Sequence, residues 1–130
     1  MGWVKEGFMS VTDKPDDNVR LRLRNHTAFD SILHGDATPS DLNALVAMSN
    51  MTTALARKHG ADWRMEIRAA ADAVEAMQAR YARWRKIQGT QPELDAIRML
   101  LRIHDAQLDA CNVADIDEGI RVARKGVAAV

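Results

Sequence analysis

Trp63, Ile67, Ala70, Val74, Met77, Tyr81 and Trp84 follow one another at alternating spacings of four and three. That pattern is an apolar seam held for about three heptads, and it commits the stretch to a helix with one buried side. Asp62 is placed to cap this helix and Gly89 to stop it. A helix of about 25 residues follows, the longest predicted in the chain and so its expected central strut.

The same period recurs on both sides. Downstream, Thr90-Gln91-Pro92-Glu93 has the spacing of a capping box, and the seam resumes at Leu94, Ile97, Leu101, His104, Leu108 and Cys111. Upstream, Thr38 can cap a helix with Pro39 in its first position and Asp41 three residues after the cap. That helix runs through Leu42, Leu45, Met48, Met51 and Leu55, carries Lys58 and His59 in its last turn, and ends at Gly60. Within it, Leu45 to Arg57 faintly echoes a helix-turn-helix, but Asn50 stands where the turn glycine belongs and the apolar spacing runs on unbroken. One continuous helix is the better reading. A short helix is expected from His26 to Leu33, stopping at Gly35, and another after Asn112-Val113-Ala114-Asp115, with Val113, Ile116, Ile120 and Ala123 on one face and an end near Gly126. Gly119 weakens the last assignment.

The N-terminal part reads differently. Trp3, Val4, Phe8, Met9 and Val11 precede a polar turn, Thr12 to Asp17, that contains Pro15. Val19-Arg20-Leu21-Arg22-Leu23-Arg24 alternates with period two, which in an extended segment puts three apolar side chains opposite three arginines. A helical segment would instead put Val19 and Leu23 on one face. The expected fold is therefore all-α: an antiparallel helical bundle of three main and two minor helices over 25–130, with an extended N-terminal arm over 1–24. Short connections make sequential helices antiparallel neighbours.

Composition narrows function mainly by exclusion. One hundred and thirty residues allow one core. Eighteen basic residues balance eighteen acidic ones, which excludes a global electrostatic grip on nucleic acid or anionic lipid. No stretch approaches the roughly 20 apolar residues of a membrane span, and the first residues lack the pattern of a signal peptide. Cys111 is the single cysteine, so no internal disulfide forms, and a reducing, cytoplasmic setting is expected.

Catalytic and metal signatures are missing: no HExxH, no Glu-x-x-His pair, no CxxC, no Gly-rich phosphate loop, no G-x-S-x-G. No catalytic residue, metal ligand or cofactor is assigned. One cluster stands out, His104 with Asp105 and Asp109 one helical turn apart. It could bind metal or move protons, but one histidine and two carboxylates on one helix make half a site. A seam histidine hydrogen-bonded to a facing polar group is the stronger reading.

Candidate partner-binding residues are clearer. Arg80, Arg83, Arg85 and Lys86 crowd the end of the long helix around Tyr81 and Trp84, and Arg20, Arg22 and Arg24 form a second strip. Basic residues among aromatics suit phosphate contact and base stacking. Against that, cations belong in a helix's last turn, and Tyr81 and Trp84 lie on the seam. Glu93 to Glu118 holds seven acids against the two arginines Arg98 and Arg102, so the neutral total hides a polarised chain. Trp3 and Phe8 are large apolar anchors for a partner or for the bundle's own groove. The long seam could also be half of a homo-oligomer's core.

Three stretches carry a resemblance: Arg24-Asn25-His26 leading to the turn before Thr38; Asp41-Leu42-Asn43-Ala44-Leu45 with Asn50-Met51 and Ala54-Leu55; and His104-Asp105-Ala106-Gln107-Leu108-Asp109. With Val4, Gly7-Phe8 and Val11, the chain resembles a group of small uncharacterised proteins of proteobacterial phages, prophages and chromosomes. The resemblance transfers no catalytic residue and implies a bacterial or phage accessory protein. The expected function is a non-enzymatic binding or regulatory protein acting through protein–protein contacts, of the kind phages use to modulate host machinery. The alternative is a nucleic-acid-binding regulator that uses residues 80–86 and the 20–24 strip.

Overall fold

The computed structural model describes the backbone of residues 5–59, 62–111 and 113–128, and the side chains of 17–58, 62–111 and 114–125. It is an all-α bundle of five helices: α1 (Lys5–His34), α2 (Pro39–His59), α3 (Arg64–Trp84), α4 (Gln91–Ala110) and α5 (Val113–Ala128). No strand occurs among the described residues.

The predicted caps locate the turns. Thr38 and Asp41 bond each other's backbone amides, at 2.9 Å onto Asp41 Oδ2 and 3.4 Å onto Thr38 Oγ1. Thr90 and Glu93 form the full capping box. Gly35 ends α1 with φ +79°, a left-handed conformation that glycine enters without strain. Gly60 and Asn112, expected to end α2 and cap α5, lie outside the described residues.

Three expectations are corrected. The arm expected to be extended over 1–24 is helical from Lys5 on, through the expected turn at Thr12 to Asp17, and the expected short helix at 26–33 is the end of the 30-residue α1. Leu and Arg are good helix formers, and α1 gains a buried face at Asn25, Ala28, Phe29 and Ile32, spaced by three and four, once the helix continues through the alternating segment. The alternation therefore does not separate arginines from apolar groups. Arg22 turns toward α4, while Val19 and Leu23 face solvent.

The second correction concerns α3. Its N-cap is Trp63, with no side-chain cap bond, and it ends at Arg85, whose φ of +56° stops the helix before Gly89. Gly89 is instead a close-packing position, since a Cβ there would lie 2.8 Å from Leu94 Cδ2. The seam is buried from Ile67 to Met77, whereas Trp63 and Trp84 at its ends are exposed.

Third, the central strut is α2. Between Asp41 and Arg57 it carries no charge, and it buries residues over more than half of its circumference, among them Leu45, Val46, Met48, Met51 and Thr52. Its neighbours are α1, α3, α4 and, most extensively, α5. Close approach to α5 is set by Gly119, the residue that weakened the sequence-based assignment. A Cβ there would sit 2.9 Å from both Cγ and Cε of Met51. Lys58 Nζ reaches the buried Asp115 carboxylate at 2.7 Å and pins the end of α2 to the start of α5.

Candidate functional site

His104 lies on the predicted seam of α4 and is fully buried, at 0% exposure. Its surroundings fix its protonation. Thr52 on α2 donates its hydroxyl proton to the Met48 carbonyl at 2.7 Å, so its oxygen can only accept from His104 Nδ1, 3.1 Å away. Gln107 donates its amide to the Thr52 carbonyl at 3.0 Å, which directs its Oε1 to the same Nδ1 at 3.2 Å. Both contacts require the proton on Nδ1. Burial holds the imidazole below its ordinary pKa, outweighing the hydrogen bond to Gln107 and the charge of Asp105. His104 is thus a neutral Nδ1–H tautomer, and its Nε2 is a buried lone pair without a hydrogen-bond partner.

The carboxylates predicted beside it point elsewhere. Asp105 Oδ2 bonds His26 Nε2 at 2.8 Å, and Asp109 pairs with Arg22, which also bonds Asn18 at 2.7 Å. These contacts tie α4 to α1. No group of three potential metal ligands occurs among the described residues.

Beside His104, α1, α2, α4 and α5 border an open-sided cavity of about 520 Å3. Met48, Met51, Leu21 and Ile120 contribute apolar walls, and exposed Arg20, Arg24 and Arg124 lie around it with Asp17. A second buried polar side chain lines it: Asn25, 4% exposed, whose Nδ2 has no hydrogen-bond partner. Sequence reading missed this residue as a site candidate. A polar side chain at the inward i−3 position to Ala28 was the available signal.

The predicted basic residues separate. Arg80 is consumed by a bidentate pair with Glu93, at 3.0 and 3.1 Å, that latches α3 to the start of α4. Its hydrogen bonds, with help from the Thr90 amide, hold the Glu93 carboxyl below the usual carboxylate range. Arg83 lies over the Trp84 ring at 5.1 Å and Arg85 over Tyr81 at 5.4 Å, with Lys86 exposed beyond them. Arg20 pairs with Asp17 at 3.5 Å. The two basic segments sit on α1 and α3, which share none of the substantial helix interfaces, so they form no single surface. Much of the acidic run on α4 and α5 is likewise used in pairs, through Glu93, Asp105, Asp109, Asp115 and Glu118. Trp3 lies outside the described residues, and Phe8 falls on the α1 backbone with its side chain outside them.

No protein-family model, curated protein or solved structure matches this chain. No helix among the described residues is long and apolar enough to cross a membrane.

Proposed function

We propose that the protein works by binding rather than catalysis, and that its partner is another protein docked on the outer face of α1. One observation carries this reading. Val19 and Leu23, one turn apart, are 62% and 66% exposed on the side of α1 away from the core, with exposed Arg20 and Arg24 beside them. A helix with a second apolar stripe has area to offer. The flanking cations fit a partner whose apolar patch is rimmed by carboxylates. A second copy fits less well, because an isologous contact on this face would bring arginine toward arginine. Resemblance to the phage and prophage group supports a regulatory, accessory role. The lone half-buried Cys111, its thiol pKa raised by burial, is in keeping with a reducing cytoplasm.

The test is a photo-crosslinking residue at position 23, with position 82 on exposed α3 as control, in the protein's native cells. One discrete adduct with an acidic protein, specific to position 23 and lost with Arg24→Glu, is expected. Adducts only with a second copy, or none that depend on position, overturn the reading.

Nucleic-acid binding is the second reading, favoured by the exposure of Trp84, at 62%. Its ring is open to stacking beside Arg83, Arg85 and Lys86. Fluorescence anisotropy with single-stranded RNA and duplex DNA would show binding that falls steeply with salt and disappears in Arg83→Glu/Lys86→Glu. Absence of binding at low salt reduces the cluster to a helix end.

A further inference from the structure

The cavity between α1, α2, α4 and α5 is lined by two residues, His104 and Asn25, that each carry a buried polar atom without a hydrogen-bond partner. His104 Nε2 is an acceptor and Asn25 Nδ2 a donor, and neither has a hydrogen-bond partner. Buried polar groups are nearly always paired, and leaving one unpaired costs as much as a lost hydrogen bond. The two residues come from different helices, α4 and α1, and both line one space of about 520 Å3. That volume falls within the range of about 300–1,000 Å3 typical of small-molecule pockets and far exceeds the share of one water, about 30 Å3.

The surroundings define what would fit. An acceptor and a donor together call for a hydroxyl, which can give its proton to Nε2 and accept from Nδ2, or for a hydroxyl beside a carbonyl. The methionine, leucine and isoleucine walls call for an apolar body. Three arginines, Arg20, Arg24 and Arg124, border the cavity against one carboxylate, Asp17, and call for an anionic end. We propose that this cavity binds a small anionic molecule with an apolar body and a hydroxyl group, the hydroxyl seated on His104 and Asn25 and the anion among the arginines. His104 suits this role because Thr52 and Gln107 clamp its ring with Nδ1 as the donor, so the lone pair on Nε2 is preset for the ligand. The inference shares Arg20 and Arg24 with the outer face of α1 but is carried by His104 and Asn25, which that face does not use, so a failure of one reading leaves the other testable.

Three matched probes test it on the full chain: ω-hydroxylaurate, laurate, which lacks the hydroxyl, and dodecanediol, which lacks the charge. Binding is read by calorimetry, and the His104 Nε2 resonance by nitrogen-15 NMR. The expected result is one-to-one binding of ω-hydroxylaurate with an upfield shift of the bare Nε2 signal. Laurate should bind about tenfold more weakly, the worth of one good buried hydrogen bond. Dodecanediol should also bind more weakly, and only the two anions should lose affinity with salt. Asn25→Leu separates a ligand contact from a structural one. It removes an unpartnered donor at similar volume, so it should raise Tm by about 2–4 °C while weakening ω-hydroxylaurate about tenfold. Ala47→Phe, filling the cavity, should abolish binding of all three probes.

Other outcomes overturn the proposal. These are no binding of any probe at millimolar concentration, equal binding of laurate and ω-hydroxylaurate, or an Nε2 signal that is already hydrogen-bonded without ligand while Asn25→Leu lowers Tm. The last would mean that ordered water satisfies both atoms.

Discussion

The Thr52 hydroxyl and the His104 ring are joined in one direction only: the threonine oxygen accepts from Nδ1 because its own proton is held by the Met48 carbonyl. Thr52→Val removes both bonds at 0% exposure and leaves Gln107 as the sole acceptor for Nδ1. The expected loss is about 1–3 kcal/mol, read as a lower urea midpoint with unchanged slope. The Thr52→Val/His104→Phe double variant should cost less than the sum of the two single changes, because each single change already breaks the bond they share.

Acid should weaken the fold in two stages. His104 has its pKa lowered in the folded protein, so the unfolded chain takes up its proton first. Stability from this group is whole above about pH 6.5, the unfolded value, and is lost as pH falls below it. Glu93 has its carboxyl pKa lowered by Arg80, so its contribution is whole above about pH 4.3 and lost as pH falls toward its folded value. Urea midpoints measured from about pH 8 to about pH 2 should decline through both windows, and His104→Phe should flatten the first decline while leaving the second.

Gly119→Ala should destabilise the protein although alanine is the better helix former. The propensity gain is about 1 kcal/mol. Against it, the new methyl would lie 2.9 Å from both Cγ and Cε of Met51; Cε can swing toward the cavity that Met51 walls, but Cγ, one bond beyond Cβ, moves only by leaving its rotamer. Overpacking of this kind costs about 1–3 kcal/mol. Thermal unfolding should show a lower Tm for Gly119→Ala, and Met51→Ala added to it should cost less than Met51→Ala alone.

Arg80→Met should loosen the α3–α4 corner. It keeps the aliphatic stem but leaves the half-buried Glu93 carboxylate without its bidentate partner. A loss of about 1–3 kcal/mol is expected. Glu93→Gln added to Arg80→Met should recover part of it, since the neutral amide can still serve the Thr90 amide in the capping box.

The sequence made the helix starts at Thr38 and Thr90 and the seams of α3 and α4 legible, because each rests on residues within one or two turns. It placed His104 on the buried side of α4 for the same reason. Thr52, which decides the tautomer, is 52 positions away, and no local pattern links the two. The α1 helix was hidden by six alternating residues whose period matches a strand. In the fold the inward residues are Leu21 and Asn25, not the whole apolar set. The centrality of α2 was hidden too, since its burial spreads over a broad arc of small and uncharged side chains and draws on a fifth helix, not on a narrow stripe. Trp63 and Trp84 mark the opposite failure: seam spacing continued past the point where a neighbour was there to cover it.

The enclosure of α2 sets where the chain opens last. Every other helix keeps a solvent-facing side from which amides can be reached by local fraying, whereas α2 has neighbours on four of its flanks. Its middle amides, from Leu45 to Thr52, can exchange with deuterium only when the whole bundle comes apart, so their exchange rates report the global unfolding free energy. The outer turns of α1 and the cavity beside them can rearrange at lower cost. The molecule therefore divides into a slow spine and a faster outer side.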